Sequence, residues 1–129
     1  MTRKVVQTDN APAAIGPYSQ AIIHGDLLFA AGQIPLDPES GQLVEGSIET
    51  QAKRVIDNLK AVLEAAGSGL DQVLRLDVFL VDLANFPEVN EYLSSVFQED
   101  PPARVTVEVS GLPMGAMIEM AAIAGVKSG

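Results

Sequence analysis

The sequence predicts an α+β fold in which two helices cover one face of a mixed β-sheet. Three observations support this: the length of 129 residues, two segments of helical periodicity, and several short runs with β-strand character. The length and the lack of a linker or repeat predict a single domain over residues 1–129. With 47% hydrophobic residues, the chain has the composition of a folded protein.

A β-hairpin is predicted in the N-terminal third. Gly25 and Asp26 separate the apolar runs 21–24 and 27–32 by two residues, a spacing typical of hairpin turns. The only histidine, His24, precedes this turn, where we expect it to be exposed and inert.

An amphipathic helix follows the hairpin. Apolar residues recur at helical spacing from Ile48 to Ala66. Ser47 is a suitable N-cap, and the glycines at 67 and 69 provide a stop. The polar residues of the opposite face are predicted to be exposed, and they are Gln51, Lys53, Arg54, Asp57, Lys60 and Glu64.

The second half of the chain contains three predicted strands and a second helix. Alternating or β-branched runs predict strands at 73–81, 103–109 and 117–126. Asn85 followed by Pro87 is typical of a capped helix start. Two helices cover only one face of the sheet, so we expect the other face to be wet or to pack against another chain. The scarcity of charge in the last strand favours another chain.

The composition excludes several classes of site and partner. Eight Lys and Arg against 17 Asp and Glu give a net charge of −9, which argues against phosphate-mediated nucleic-acid binding and docking on anionic membranes. With no cysteine and one histidine, thiol chemistry and a His-pair metal site are excluded. No apolar run approaches the ~20 residues that span a bilayer. We therefore expect a cytoplasmic, soluble protein.

Glu119 and Arg104 are the charged residues most informative about chemistry. Glu119 lies in a strand that is apolar on both faces, so its carboxylate needs a partner or a proton. An edge strand with Glu119 in solvent, or a structural ion pair, would also explain it. Arg104 has the side chain that binds a planar carboxylate with two parallel hydrogen bonds, although a solvated strand face explains it too.

Three further residues are candidates for contacts with a small molecule. Asn90 is at helical spacing with the apolar residues of the second helix, so we expect a buried amide that clips the backbone or touches a ligand. Tyr18 lies in a Gly-Pro-Tyr-Ser turn and covers either core or ligand. Gly32 allows either a close backbone approach or a simple bend. An acid beside a carboxylate-binding cation suits water activation on a small carboxylic acid, and these residues leave the reaction open.

The order and spacing of several motifs resemble the RidA/YjgF family over nearly the whole chain. The motifs are IGPYSQA at 15–21, AGQIPLDP at 31–38, NLKAVLEAAG at 58–67, VNE at 89–91, PAR at 102–104 with VEV at 107–109, and LP at 112–113 with IE at 118–119. Together they are highly specific.

The resemblance implies a chorismate-mutase-like fold and a homotrimer with a central β-barrel and sites at the subunit clefts. It implies hydrolysis of 2-imino and enamine acids, such as 2-aminoacrylate and 2-iminopropanoate, to 2-oxo acids and ammonia without a cofactor. Arg104 matches the family residue that holds the substrate carboxylate, and Glu119 matches the acid that activates water. Tyr18 and Asn90 match positions lining the cleft, and Gly32 matches the glycine whose backbone borders the ligand.

Two positions depart from the commonest family pattern. Ala31 stands where serine is frequent and removes a hydroxyl contact, and Thr106 stands where cysteine is frequent. Thr106 keeps a hydroxyl that can bind ligand or water. The alternatives to a deaminase are a non-catalytic sensor of 2-oxo acids or amino acids, a chaperone-like surface, and an endoribonuclease or translation inhibitor. The net charge of −9 and the single histidine weigh against the last.

Overall fold

The computed structural model describes residues 2–126 and has one six-stranded mixed sheet with two α-helices. The elements in chain order are β1 (Arg3–Val6), β2 (Ala21–His24), β3 (Leu27–Gln33), α1 (Ile48–Ala65), β4 (Val73–Leu80), α2 (Phe86–Val96), β5 (Ala103–Glu108) and β6 (Ile118–Gly125). The strand order is β1-β2-β3-β6-β4-β5, and of the pairs within the described chain only β4 and β5 run parallel. The predicted α+β class is confirmed. The sheet of the single chain is open, with β1 and β5 at its edges.

Local sequence signals account for the hairpin and for the start of α1. Gly25 has a φ of +62° at the first of the two turn residues, a conformation that glycine adopts without a Cβ penalty. The Ser47 side chain accepts a hydrogen bond from the Thr50 N–H at 3.2 Å, which caps α1 as predicted.

The predicted cap of α2 is wrong in its detail. Asn85 occupies the N-cap position, but its backbone is already helical and its side chain makes no capping hydrogen bond. A 3₁₀ turn over Leu83–Asn85 precedes α2, and the Asp82 side chain caps that turn by accepting from the Ala84 N–H at 2.9 Å. The capping residue therefore lies three positions earlier than the Asn-Phe-Pro-Glu pattern indicates.

The main hydrophobic core lies between the helices and one face of the sheet. Fully buried side chains of α1, such as Val55, Leu59 and Val62, belong to the same apolar cluster as Leu28 of β3 and Met120 of β6. Burial of each such side chain contributes about 1.5–3 kcal/mol. Neither helix within residues 2–126 combines the length and apolarity that a membrane crossing requires.

A smaller apolar cluster lies apart from this core. It consists of Ile34, Leu36 and Ala116, with Leu43 and Leu112 packed against them. We call it the satellite cluster. It joins the loop that follows β3 to the turn that precedes β6, and so lies at the end of the sheet where β3 ends and β6 begins.

The other face of the sheet carries apolar side chains that nothing in the single chain covers. Phe29 is 44% exposed, Val105 42% and Val107 39%. The strand register pairs these residues with Ile123, Asp77 and Phe79. Along β6 and β4 these partners alternate with side chains buried in the core, so they lie on the face opposite the helices. The prediction of an uncovered apolar face is confirmed for the single chain.

Candidate functional site

Glu119 projects from the central strand β6 on the uncovered face. It pairs in register with Phe79 of β4, which pairs in turn with Val107 of β5, so its neighbours in this row are apolar. The side chain is half-buried. Loss of contact with water disfavours the charged form, and burial therefore raises the pKa of the Glu119 carboxyl above its ordinary value of 4.5.

The backbone of Gly32 makes room for this carboxyl group. The register between β3 and β6 shifts between Ala30 and Gln33, so that two residues of β3, Ala31 and Gly32, stand opposite Ala121 alone. A Cβ atom on Gly32 would lie 2.9 Å from the Cδ atom of Glu119, a separation that packed carbon atoms do not reach. Of the two interpretations of Gly32, the structure supports the close approach.

Glu119 and Gly32 open into a cavity of about 200 Å³, which we call the Glu119 cavity. Its lining residues are Pro12, Ile15, Tyr18, Gln20, Gly32, Gln33, Ile34, Leu36, Pro113 and Glu119. Tyr18 is held over it by two contacts: its N–H donates to the Gly16 carbonyl at 2.8 Å, and its hydroxyl oxygen accepts from the Ile15 N–H at 3.3 Å. The structure thus brings together Glu119, Gly32 and Tyr18.

Arg104 and Asn90 line a different cavity, of about 440 Å³, between α2 and β5. We call it the Arg104 cavity. Its lining residues are Leu76, Asn90, Leu93, Ser94, Phe97, Gln98, Pro101, Pro102 and Arg104. The Arg104 guanidinium lies over the Phe86 ring, 5.5 Å from the ring centroid, and this cation–π contact orients it.

The expectation that Asn90 is buried among the apolar residues of α2 is wrong. The buried residues of this helix are Val89 and Leu93, and Asn90 is exposed at the mouth of the Arg104 cavity. The helix turns by about 100° per residue, so Asn90 points away from the core although the preceding residue, Val89, points into it.

Thr106 lies in neither cavity. It pairs in register with Val78, two residues along β5 from Arg104, and so shares the helix-facing side of the sheet with it. Its Oγ1 atom is buried and has no hydrogen-bond partner among the residues that the structure describes. A buried hydroxyl without a partner costs free energy, which an incoming polar group at this position would recover.

Arg104 and Glu119 do not meet within one chain. Arg104 is level across the sheet with Ala122, three residues from Glu119 on β6, so the two side chains project from opposite faces. Strand β4 lies between their strands, so the axes of β5 and β6 are about 9.6 Å apart. The offset of three residues separates the two positions by a further distance of about 10 Å along the strands. The single chain therefore carries the acid and the cation in two separate cavities on opposite faces of the sheet.

A buried glutamine, Gln20, shapes the Glu119 cavity and is not among the residues that the sequence predicts for the site. Gln20 accepts from the Thr8 N–H at 2.7 Å and donates to the Pro12 carbonyl at 2.8 Å, which fixes the loop that supplies Pro12 to the cavity wall. Its place between Ser19 and Ala21 in a motif that resembles a known family was the available signal. Within residues 2–126, no three metal-ligating side chains cluster.

Comparison with protein families gives a match over almost the whole chain. The model described as Endoribonuclease L-PSP matches residues 8–126. A RutC family protein of Pyrococcus abyssi is 54% identical over 124 residues, covering 96% of this chain and 98% of the relative. A mouse protein named 2-iminobutanoate/2-iminopropanoate deaminase is 45% identical over 122 residues, covering 95% of this chain and 90% of the relative.

The fold matches solved structures equally well. The crystal structure of RidA from an Antarctic Psychrobacter species superimposes with a TM-score of 0.92 at 41% identity, covering 95% of this chain and 99% of that one. Sequence and fold therefore place this chain with the same group of proteins.

Proposed function

This chain belongs to the Endoribonuclease L-PSP family, which is the RidA/YjgF family, and from that premise we propose that it hydrolyses 2-imino acids and their enamine tautomers to 2-oxo acids and ammonia. The observation that carries the proposal is the Glu119 carboxyl group, half-buried over Gly32 with a raised pKa. A carboxyl tuned upward in this way suits the transfer of a proton to and from water near neutral pH. The mouse relative's name supports this choice of reaction.

The role of Arg104 is to hold the substrate carboxylate. Its guanidinium rests on the Phe86 ring, which leaves the edge of the fork free for two parallel N–H···O hydrogen bonds. These two hydrogen bonds fix the orientation of the imine carbon next to the carboxylate, so that binding also positions this carbon for attack by water. Asn90 at the rim of the Arg104 cavity contributes a further polar contact to the substrate. Thr106 lies outside this cavity on the same face of β5, and its buried hydroxyl is assigned a hydrogen bond to water or to the substrate.

The role of Glu119 is to activate water. The carboxylate accepts a proton as the water oxygen forms a bond to the imine carbon, and the π electrons of the C=N bond move to nitrogen. Glu119 then returns the proton to nitrogen, which forms the tetrahedral amino alcohol. The hydroxyl proton of this intermediate moves to nitrogen as the C–N bond breaks, which gives the 2-oxo acid and ammonia. One water enters and one ammonia leaves, and the reaction uses no cofactor.

The complete site forms between two copies of the chain in a homotrimer. One subunit supplies Arg104 and its neighbour supplies Glu119, Gly32 and Tyr18. We call the position of Arg104 and the position of Glu119 the two half-sites. Two facts support this arrangement: the half-sites lie on opposite faces of one sheet, and the face that carries Glu119 is apolar and uncovered. Packing the uncovered faces together around an axis builds a central barrel and buries Phe29, Val105 and Val107.

The chain acts as one domain over residues 1–129, in the cytoplasm, where it removes reactive imines released by pyridoxal-phosphate enzymes. Ala31 borders Gly32 without the hydroxyl that relatives often carry there. This difference and Thr106 affect the choice of imine more than the class of reaction, because neither changes Arg104 or Glu119.

A non-catalytic sensor of 2-oxo acids is the main alternative. It shares the carboxylate grip of Arg104 and gives Glu119 no chemical role. The family model is described as an endoribonuclease, and RNA cleavage is the second alternative. The net charge of −9 weighs against it, since RNA binding depends on neutralising phosphates.

The test is hydrolysis of freshly generated 2-aminoacrylate in the presence of semicarbazide, which traps the imine before it becomes pyruvate. We expect the wild-type protein to suppress semicarbazone formation and the Arg104→Ala variant not to do so. If neither protein changes the yield of semicarbazone while both bind RNA in a salt-dependent manner, the deaminase proposal is wrong.

A further inference from the structure

The satellite cluster forms one wall of the Glu119 cavity, and helix α1 holds it by hydrogen bonds. Ile34 and Leu36 belong both to this cluster and to the lining of the cavity. The cluster is separate from the main apolar core, so core packing alone does not fix its position relative to the sheet.

Asn58 is the first of the two attachments. Its side chain is fully buried on α1, and its Nδ2 donates to the carbonyl oxygens of Leu36 at 3.0 Å and Ile34 at 3.3 Å. The Oδ1 atom accepts from the Arg54 Nε–H at 3.1 Å, which fixes the orientation of the amide. Both polar atoms of the Asn58 side chain thus have partners, and two of these hydrogen bonds end on the cavity wall.

Gln51 is the second attachment, two turns earlier on the same face of α1. Its Nε2 donates to the Val44 carbonyl at 3.0 Å, and its Oε1 accepts from the Met117 N–H at 2.9 Å. Met117 immediately precedes β6 and stands two residues before Glu119. Val44 is in turn tied to Pro35 by a backbone hydrogen bond of 2.8 Å.

We infer that Asn58 and Gln51 are positioning residues, through which α1 sets the width of the Glu119 cavity and the place of the Glu119 carboxyl group. The inference rests on the proposed function, and it adds two residues that are not among those lining the Glu119 cavity. Buried amides at these positions suit this role because the hydrogen bonds have fixed lengths and directions. An apolar contact at the same place would let the loop slide.

The experiment compares Asn58→Leu, which keeps the volume of the side chain, with Val62→Ala on the same helix. Val62 is fully buried in the main core and is not part of the satellite cluster. Backbone amide exchange is measured on the substrate-free protein. We expect Asn58→Leu to raise the amide exchange rates of Leu36 and Val44 by about tenfold. In Val62→Ala, we expect the exchange rates of these two amides, relative to those of the other loop amides, to stay as in wild type.

Kinetics provide the second readout. Because Arg104 lies in the other half-site, Asn58→Leu should lower kcat by about tenfold with KM within about twofold of wild type. Rates are expressed per folded protein, because unfolded chains lower the apparent kcat without changing KM. If Asn58→Leu does not fold, Gln51→Met removes the second attachment and is measured in the same way. Equal exchange at Leu36 and Val44 in wild type and variant overturns the inference. Because exchange needs no substrate, it tests the attachment even if wild type proves inactive, a result that would overturn only the proposed function.

Discussion

The carboxyl group of Glu119 lies over the backbone of Gly32, where a Cβ atom would come within 2.9 Å of Glu119 Cδ. The backbone of Gly32 does not have a positive φ, so the need for glycine here comes from space and not from backbone conformation. The bulge at Ala31 and Gly32 brings the two strands into this arrangement. The position of the acid and the absence of a side chain at residue 32 are therefore one feature.

Gly32→Ala should displace the Glu119 carboxyl with little loss of stability. We expect about 100-fold slower imine hydrolysis, because displacement of a reacting group by about 1 Å has an effect of this size. Gly111→Ala is the matched control, since nothing lies within 4 Å of the added methyl group there. Equal rates for Gly32→Ala and wild type would show that the carboxyl need not occupy its observed place.

Replacing Arg104 by lysine should weaken binding of a 2-oxo acid although the charge is kept. An ammonium group cannot make two parallel hydrogen bonds and is less suited to stacking on Phe86. Loss of one charge-assisted hydrogen bond predicts about 10- to 100-fold weaker binding of 2-oxobutanoate in calorimetry. Arg3→Lys, on the exposed edge strand, serves as the control. Unchanged affinity in Arg104→Lys would remove Arg104 from the binding site.

As the pH is lowered, activity should be lost at a pH above the ordinary pKa of a glutamate side chain. Burial raises the pKa of Glu119 above 4.5, and the deprotonated form is the one that accepts a proton from water. Activity is therefore present above the raised pKa and is lost as the pH falls through it. A profile of kcat/KM against pH measures this limb. A limb at 4.5 or lower would contradict the assignment of the base.

A charge on the uncovered face should prevent assembly of the proposed trimer. Phe29 is 44% exposed in the single chain, and burying a lysine there against an apolar neighbour is costly. Phe29→Lys should elute as a folded monomer in light-scattering chromatography and lose imine hydrolysis. Leu83→Lys, at a position 45% exposed outside the sheet, should keep the wild-type mass. An active Phe29→Lys monomer would mean that one chain forms the site alone.

The sequence predicted the elements well because their signals are local. The Gly25 turn, the Ser47 cap and the alternation of β5 each depend on a few neighbouring residues. Gln51 was placed on the exposed face of α1 because of its polarity, yet it is 3% exposed and bonds to two loops. The buried Asn58 lies seven residues from Gln51, on the apolar stripe, and that spacing was the signal that could have revealed both.

The division into two half-sites could not be predicted from the sequence. Alternation gives the faces of β5 and β6 separately, but the register across β4 decides whether Arg104 and Glu119 share a face. That register depends on contacts between distant segments. The family resemblance supplied both residues and implied sites at the subunit clefts, but it did not give the face of the sheet that carries each residue.

The most direct test of the central claim, a deaminase whose site is shared between two subunits, is complementation by co-expression of Arg104→Ala and Glu119→Gln chains. Each variant alone should fail to suppress semicarbazone formation from 2-aminoacrylate. Mixed trimers contain some clefts with Arg104 from one chain and Glu119 from the other. Random assembly should restore about a quarter of the wild-type rate. If the mixture is as inactive as the separate variants although mass spectrometry shows mixed trimers, the two residues do not form a site between subunits.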